Sequence, residues 1–333
     1  MPDIYLAHSP DPDDVFMWWP ITGMIQPPGS HQAVEPACVV TAPEIDTGDL
    51  RFVPIAADIS VLNRWAIEHG DLDITAMSMN CYARVAATYQ LTSFGSSMGY
   101  GYGPKVVARA GGVPTVASAT CYAGELSPLD LGVAALLDPD ALLAIPGRET
   151  TAFLVLSMML GDSHTRLRTI EMPFDRILDA VASGRGGVTH GLLIHQSQLT
   201  FAQMGVDLVA DVGQWWLTRT GLPLPLGGNA IRRDLDARLG MGTARRVVNI
   251  LHASILHALA YGARSLEYSM HFAPEISRAQ AERYIEMYVS DLTLDAGENG
   301  SAAIQRLLDE GAALGLCPAP GEIELAKPDR TDP

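Results

Sequence analysis

Short apolar runs alternate along this chain with stretches whose apolar residues recur at helical spacing, and a polar turn joins each pair. The run IYLA (4–7) leads through His8, Ser9 and PDPDD into VFMWWPI. DITAM (73–77) leads through Ser78 into NCYARVAATY, where Tyr82, Val85, Ala86 and Tyr89 fall on one helical stripe. LLAI (142–145) leads through PGRETT into AFLVLSMML, and GLLI (191–194) leads through His195, Gln196 and Ser197 into LTFAQM. Short β-rich runs bounded by turn residues suit strands, and a 3.6-residue apolar period suits helices packed over them. The repetition predicts an α/β fold of mixed, mostly parallel sheets flanked by helices.

Two glycine- and proline-rich passages interrupt this rhythm. GYGYGPKVVARAGG (99–112) breaks it and resumes as a strand at KVVAR, whereas TGLPLPLGGNAIRRD (220–234) is long, unperiodic and followed by a helix-rich tail. They predict a discontinuous domain I, residues 1–108 and 228–333, with domain II, residues 109–227, inserted into it. Stretches 26–50 and 110–140 read as irregular inserts, and the closing KPDRTDP reads as a frayed end. In VVNILHASILHALAYGA, Val248, Leu251, Ile255, Leu256 and Leu259 form a helical apolar stripe, with His252 and His257 on or beside it as structural histidines. AERYIEMYV repeats the habit.

A chain of 333 residues, 48% hydrophobic and 18% charged, has enough apolar material for two cores. Its formal net charge is −16, from 22 Lys+Arg against 38 Asp+Glu. Such a surface repels phosphate backbones and anionic lipids, so neither nucleic acid nor membrane is an expected partner. An anionic ligand must then be held locally, by Arg, backbone N–H groups or helix N termini. Cys38, Cys81, Cys121 and Cys317 are scattered without CxxC or Cys/His metal spacing, which argues against a disulfide framework or a zinc site. The opening MPDIYLAHSPDPDD lacks the features of a signal peptide, and no apolar run reaches membrane-spanning length, so a cytoplasmic protein is expected.

No GxxxxGK[ST] loop, strand-linked GxGxxG, HExxH or GxSxG elbow is present. Asp11, Asp13 and Asp14 stand close enough to hold a hard cation, but EF-hand spacing is missing and acids favour a helix's first turn anyway, so no metal is expected. The pairs Trp18–Trp19 and Trp215–Trp216 suit core packing or the wall of an aromatic ligand site. Arg148 precedes a helix start, where a cation does not help the helix dipole, so it is a salt-bridge partner or a carboxylate contact. His195 ends an apolar run before a helix start. A buried structural histidine and a general base working near neutrality both fit that place. The polar residues gather at the carboxyl ends of strands, where open α/β sheets bind ligands, although Ser, Thr and Asp also gather there as simple helix caps.

Several stretches resemble one family. SPDPDDVF (9–16) is similar to the SPCPNDTF signature of 1,4-dihydroxy-6-naphthoate synthases, enzymes of the futalosine route to menaquinone. ISVLNRWAIEHGDLDITAMSMNCYARV, GYGPKVVAR and AIPGRETTAFLVLSM resemble further blocks. GLLIHQSQLTFAQMGVDLVADVGQWWLTRTGLPLPLGG is the most specific, and the likeness extends to VSDLTLDAGENGSAAIQRL. The inserts near 26–50 and 110–140 fall outside it.

The resemblance implies the two-domain clamshell of type II periplasmic binding proteins, ligand between domains, used as an intracellular lyase. The implied reaction converts cyclic dehypoxanthinylfutalosine into 1,4-dihydroxy-6-naphthoate, releasing the sugar-derived fragment without a metal or redox cofactor. It implies His195 as the base that starts C–C cleavage. Thr150, Thr151 and Ala152 would meet the substrate carboxylate at a helix N terminus, with Ser78, Ser9 and Asp14 as further contacts and Arg148 beside them. The sequence also departs from the family pattern, with Asp11, Asp13 and Val15 in place of Cys, Asn and Thr, and Gln196 in place of the usual Glu. Two added acids repel an anionic substrate unless one is protonated, hydrogen-bonded or turned outward, and a carboxylate lost beside His195 removes a partner that raises basicity. The partner expected is a small carboxylated molecule, and a homodimer is compatible with the sequence. Two alternatives stay open: a non-catalytic binder of small carboxylates or aromatic acids, and a sister lyase acting on another carboxylated substrate. Of the latter, chorismate dehydratase shares the fold but resembles the GLLIH and LPLPLG blocks less.

Overall fold

The computed structural model describes residues 1–111, 132, 134–274 and 276–329. Its strands are β1 (Asp3–His8), β2 (Arg51–Ala56), β3 (Ile74–Ser78), β4 (Tyr89–Leu91), β5 (Ser97–Gly99), β6 (Lys105–Arg109), β7 (Leu143–Ile145), β8 (Thr169–Glu171), β9 (His190–Leu193), β10 (Val206–Asp211) and β11 (Leu224–Arg232). The longer helices are α1 (Pro12–Thr22), α2 (Ile59–Glu68), α3 (Met79–Val85), α4 (Thr151–Leu160), α5 (Phe174–Ser183), α6 (Val212–Thr220), α7 (Thr243–Ala260), α8 (Gly262–Ser269), α9 (Arg278–Tyr288) and α10 (Gly297–Ala313). The chain forms two compact units. Unit 1 holds residues 1–98, 225–309 and 318 onward, and unit 2 holds residues 99–224 and 310–317.

The sheet of unit 1 runs β2-β1-β3-β11-β4, with β5 beside β11. β1, β2 and β3 are parallel, whereas β11 runs antiparallel to β3 and β4. Strand alternation puts Ile4 and Leu6 on one face, against Phe16, Trp18 and Ile21 of α1 and Leu251 and Ile255 of α7. Ala7 and Ile55 turn to the other face, where Val61 and Leu62 of α2 cover them.

The sheet of unit 2 runs β10-β6-β9-β7-β8. Its β7, β8 and β9 are parallel, and β6 is antiparallel to both β9 and β10. Val107, Ala144 and Leu193 pack with Ile177 and Val181 of α5. A Cβ at Gly191 would lie 2.7 Å from Ile177 Cγ2 and 2.7 Å from Val181 Cγ2, so glycine is what lets α5 sit this close to β9.

The architecture is the mixed α/β fold expected, but several local expectations need correction. TGLPLPLGGNAIRRD is not unperiodic coil: β11 runs through it, nine residues long, between β3 and β4. Its Pro and Gly residues hide the strand pattern, yet Gly228 serves that strand, because a Cβ there would come within 3.0 Å of Met79 Cε and 3.2 Å of Ser96 Oγ. The stripe through Tyr82 and Val85 does not continue to Tyr89: α3 stops at Val85, and Tyr89 opens β4 with its hydroxyl donating to the Leu72 carbonyl at 3.0 Å. In α7 the buried face runs Val247, Val248, Leu251, Ser254, Ile255 and Ala258, leaving Leu256 44% and Leu259 37% exposed. Near the chain end, Asp329 is not frayed but holds Arg245 and Asn249. The 26–50 stretch carries no helix or strand beyond its edges, as expected. Most of the 110–140 stretch and residues 330–333 lie outside the described residues. No helix among the described residues is long and apolar enough to cross a membrane.

Candidate active site

His195 lies one residue past β9, after Ile194, and shortly before the helical turn Ser197–Thr200. It is the one non-glycine among the described residues with a left-handed backbone, at φ 56. A β-to-helix turn needs that reversal here, and the Ser197 Oγ–Ile194 carbonyl bond of 2.6 Å and the Gln198 N–H bond to the His195 carbonyl, 3.2 Å, fix it. The imidazole lies edge-on to Phe174, the first residue of α5, with ring centroids 4.5 Å apart. Such backbone strain persists only where surrounding structure enforces it, and it concentrates at functional positions.

β7 lies beside β9 and parallel to it, so the turn after β7 opens at the same sheet edge as His195. Thr150 caps α4 there: its Oγ1 donates to the Gly147 carbonyl at 2.7 Å and accepts from the Phe153 N–H at 3.3 Å. Thr150, Thr151 and Ala152 are all buried. The first turn of α4, where backbone N–H groups point out of the helix, is a carboxylate-binding arrangement. Arg148 is turned to the sheet edge, donating to Thr169 Oγ1 at 2.6 Å, pairing with Glu171 at 3.6 Å and lying over Phe153.

In unit 1 the neighbouring parallel strands β1 and β3 bring Ser9 and Ser78 to one sheet edge. Ser9 donates its Oγ proton to Asp11 Oδ2 at 2.7 Å and its backbone N–H to Asp14 Oδ2 at 2.9 Å. Asp13 Oδ2 accepts from Ser97 Oγ at 2.6 Å. Burial, then the charge of Asp13, pushes the Asp14 carboxyl up to about 8, so that acid keeps its proton at neutrality. The three acids therefore include two held by serine hydroxyls and one protonated. Among the described residues no group of His, Cys, Asp or Glu side chains is arranged to hold a metal ion. His8 beside this turn donates from Nδ1 to the Ser9 carbonyl at 2.7 Å, and burial pulls its ring down to about 4.

Two residues that the sequence reading passed over shape these edges. Asn63, fully buried on α2, donates to Ser78 Oγ at 3.0 Å and accepts the Ser78 N–H at 2.9 Å, fixing that hydroxyl. A polar residue on the apolar face of a helical pattern was the signal available for it. Phe174 had none, since a first-turn phenylalanine reads as ordinary core. The tryptophan pairs serve packing: Trp18, Trp19 and Trp216 are buried, with Trp19 donating to Ser265 Oγ at 2.9 Å and Trp216 to the Pro223 carbonyl at 3.0 Å. His252 and His257 lie against Phe94 and Trp19 respectively.

The sequence model of a family described as "Menaquinone biosynthesis" matches residues 4–313. A Thermus thermophilus protein called 1,4-dihydroxy-6-naphthoate synthase is 34% identical over 321 residues, covering 96% of this chain and 98% of that protein. A Streptomyces coelicolor protein of the same name is 31% identical over 327 residues, 98% of each chain. The crystal structure of an Archaeoglobus fulgidus protein superposes with a TM-score of 0.71 at 33% identity, covering 94% of this chain and 98% of the other. The alkanesulfonate-binding protein of Xanthomonas axonopodis pv. citri, bound to MOPS, gives 0.60 at 11% identity over 98% of each chain, a likeness of fold alone.

Proposed function

The chain belongs to the menaquinone-biosynthesis family, and from that membership we propose a carbon–carbon lyase that makes 1,4-dihydroxy-6-naphthoate from cyclic dehypoxanthinylfutalosine with His195 as general base. It is an enzyme of menaquinone biosynthesis, carried on the fold of the periplasmic binding proteins. The observation that carries the role of His195 is its enforced left-handed backbone at the end of β9, with the ring seated on Phe174. A neutral imidazole there takes the proton whose loss starts the cleavage, and a base of this kind contributes about 10²–10⁴ in rate. Thr150, Thr151 and Ala152 at the start of α4 are the proposed carboxylate contacts. Ser78, Ser9 and Asp14 are the contacts proposed from unit 1, with Asp14 donating while it keeps its proton. Arg148, engaged by Glu171 and Thr169, adds positive charge to the α4 loop. The reading also takes the enzyme as cytoplasmic, and sedimentation checks whether it pairs as the homodimer that its sequence is compatible with.

The test is incubation of purified protein with cyclic dehypoxanthinylfutalosine, following product by chromatography, with a His195→Asn variant alongside. Product from wild type and none from the variant supports the reading. Saturable binding without product favours a protein that binds but does not react. Neither product nor binding moves the search to another carboxylated substrate.

A further inference from the structure

Lys105 opens β6 directly opposite Leu193 of β9, and His195 stands two residues beyond Leu193. Strand alternation puts Lys105 on the face of Val107, which packs with Ile177 and Val181 of α5. The His195 ring rests on Phe174, the first residue of that helix. Lys105 and His195 therefore flank the same end of α5. On the far side of β6, Asp211 ends β10 opposite Lys105 and accepts from its ammonium through Oδ2. Asp211 Oδ1 accepts the Gln214 N–H at 2.9 Å as the cap of α6, so the carboxylate is fixed from both ends. Because β6 lies between β10 and β9, the charges run in order across the sheet: carboxylate, ammonium, imidazole.

We propose that Lys105, clamped by Asp211, is a positioning residue for the base, holding His195 in its neutral, proton-accepting form. The inference rests on the reading of His195 as the base. In strand order β6 lies between β10 and β9, which puts Lys105 one strand from His195 and Asp211 two, and because Coulomb energy falls with distance the pair on this ordering disfavours an imidazolium at His195. The two side chains are 16% and 24% exposed, which limits screening by water. Among the described residues, other charges on the elements around His195 are these. Asp175 and Arg176 on the first turn of α5 are exposed and of opposite sign. Arg148 is paired with Glu171, Glu149 is half-buried in the α4 loop, and the turn after His195 carries the uncharged Gln196. At the other end of β9, His190 has its Nδ1 on Thr189 Oγ1.

The test is an NMR pH titration of the His195 ring in the folded, substrate-free protein, assigned with His195→Asn. Lys105→Gln should raise the midpoint and Asp211→Asn should lower it, each by about 0.5–1 pH unit, while Lys105→Arg leaves it within about 0.2. Asparagine caps a helix as well as aspartate, so Asp211→Asn keeps α6 and decides the matter even where Lys105→Gln fails to fold. A midpoint unchanged or raised by Asp211→Asn overturns the proposal, as does a Lys105→Arg shift equal to that of Lys105→Gln. Shifts in the expected directions without turnover of cyclic dehypoxanthinylfutalosine would keep the electrostatic pair and remove the reaction. Turnover without the shifts would keep the reaction and remove the pair.

Discussion

Holding His195 at φ 56 costs on the order of 1 kcal/mol, and asparagine enters that backbone region more readily than most residues. His195→Asn should therefore melt within a few degrees of wild type while turnover falls about 10²–10⁴-fold, read by the chromatographic rate assay beside a thermal melt. Full activity in a folded His195→Asn would end its assignment as the base. Asp14 makes a second residue-scale case. Its folded carboxyl is raised to about 8, so the protonated form stabilises the fold below the ordinary carboxylate range, and that stabilisation is lost as pH rises through 8. Asp14→Asn should raise Tm at pH 8 clearly more than at pH 4; equal gains at both would mean that the carboxyl is ionised throughout. The identity of His195 and of the acids was legible in the sequence. Their surroundings were not, because burial, Ser97 and Phe174 make them, and those neighbours are distant in the chain or silent in pattern.

At the scale of elements, α5 and β9 place the base. Gly191 carries no side chain because Ile177 and Val181 occupy the space, so Gly191→Ala must push α5 outward. The expected cost is about 1–3 kcal/mol of stability, typical of overpacking. Turnover should fall as well, since Phe174 at the head of α5 moves off the His195 ring. A denaturant titration and the rate assay on the same sample check both, and an Ala variant of unchanged stability would show the interface to be loose. The strands β1, β3, β6, β7 and β9 were legible as apolar runs, because burial on both faces selects Val, Ile, Leu and Ala. β11 was not, because a strand whose neighbours approach its backbone closely uses glycine in place of a readable side-chain pattern. The end of α3 at Val85 was hidden for a related reason: Tyr89 continues the helical spacing, but its β pairing and its bond to Leu72 win.

For the whole molecule, the pH dependence of stability collects the buried histidines. Burial lowers His8 to about 4 from the ordinary 6.5 and lowers His190 in the same direction. A depressed histidine contributes stability that is fully present above 6.5 and is lost as pH falls through the folded value. The histidine contribution should thus fall on acidification from about pH 6.5 towards 4, opposing the gain from Asp14 over the same range, and the Tm of His8→Gln relative to wild type should rise as pH falls through that range. A variant as acid-sensitive as wild type would place the sensitivity elsewhere. Local periodicity, composition and residue identity alone carried the α/β class, the polar turns at the strand ends, the strongly acidic charge balance and, through extended blocks, the family resemblance. These are properties that a linear pattern carries. It took the folded arrangement to show which edges those turns share, which acid keeps a proton, how Asn63 fixes Ser78, and that the strand of Lys105 lies between those of Asp211 and His195. Each depends on strand order and burial, which bring together residues whose spacing in the chain holds no trace of their meeting.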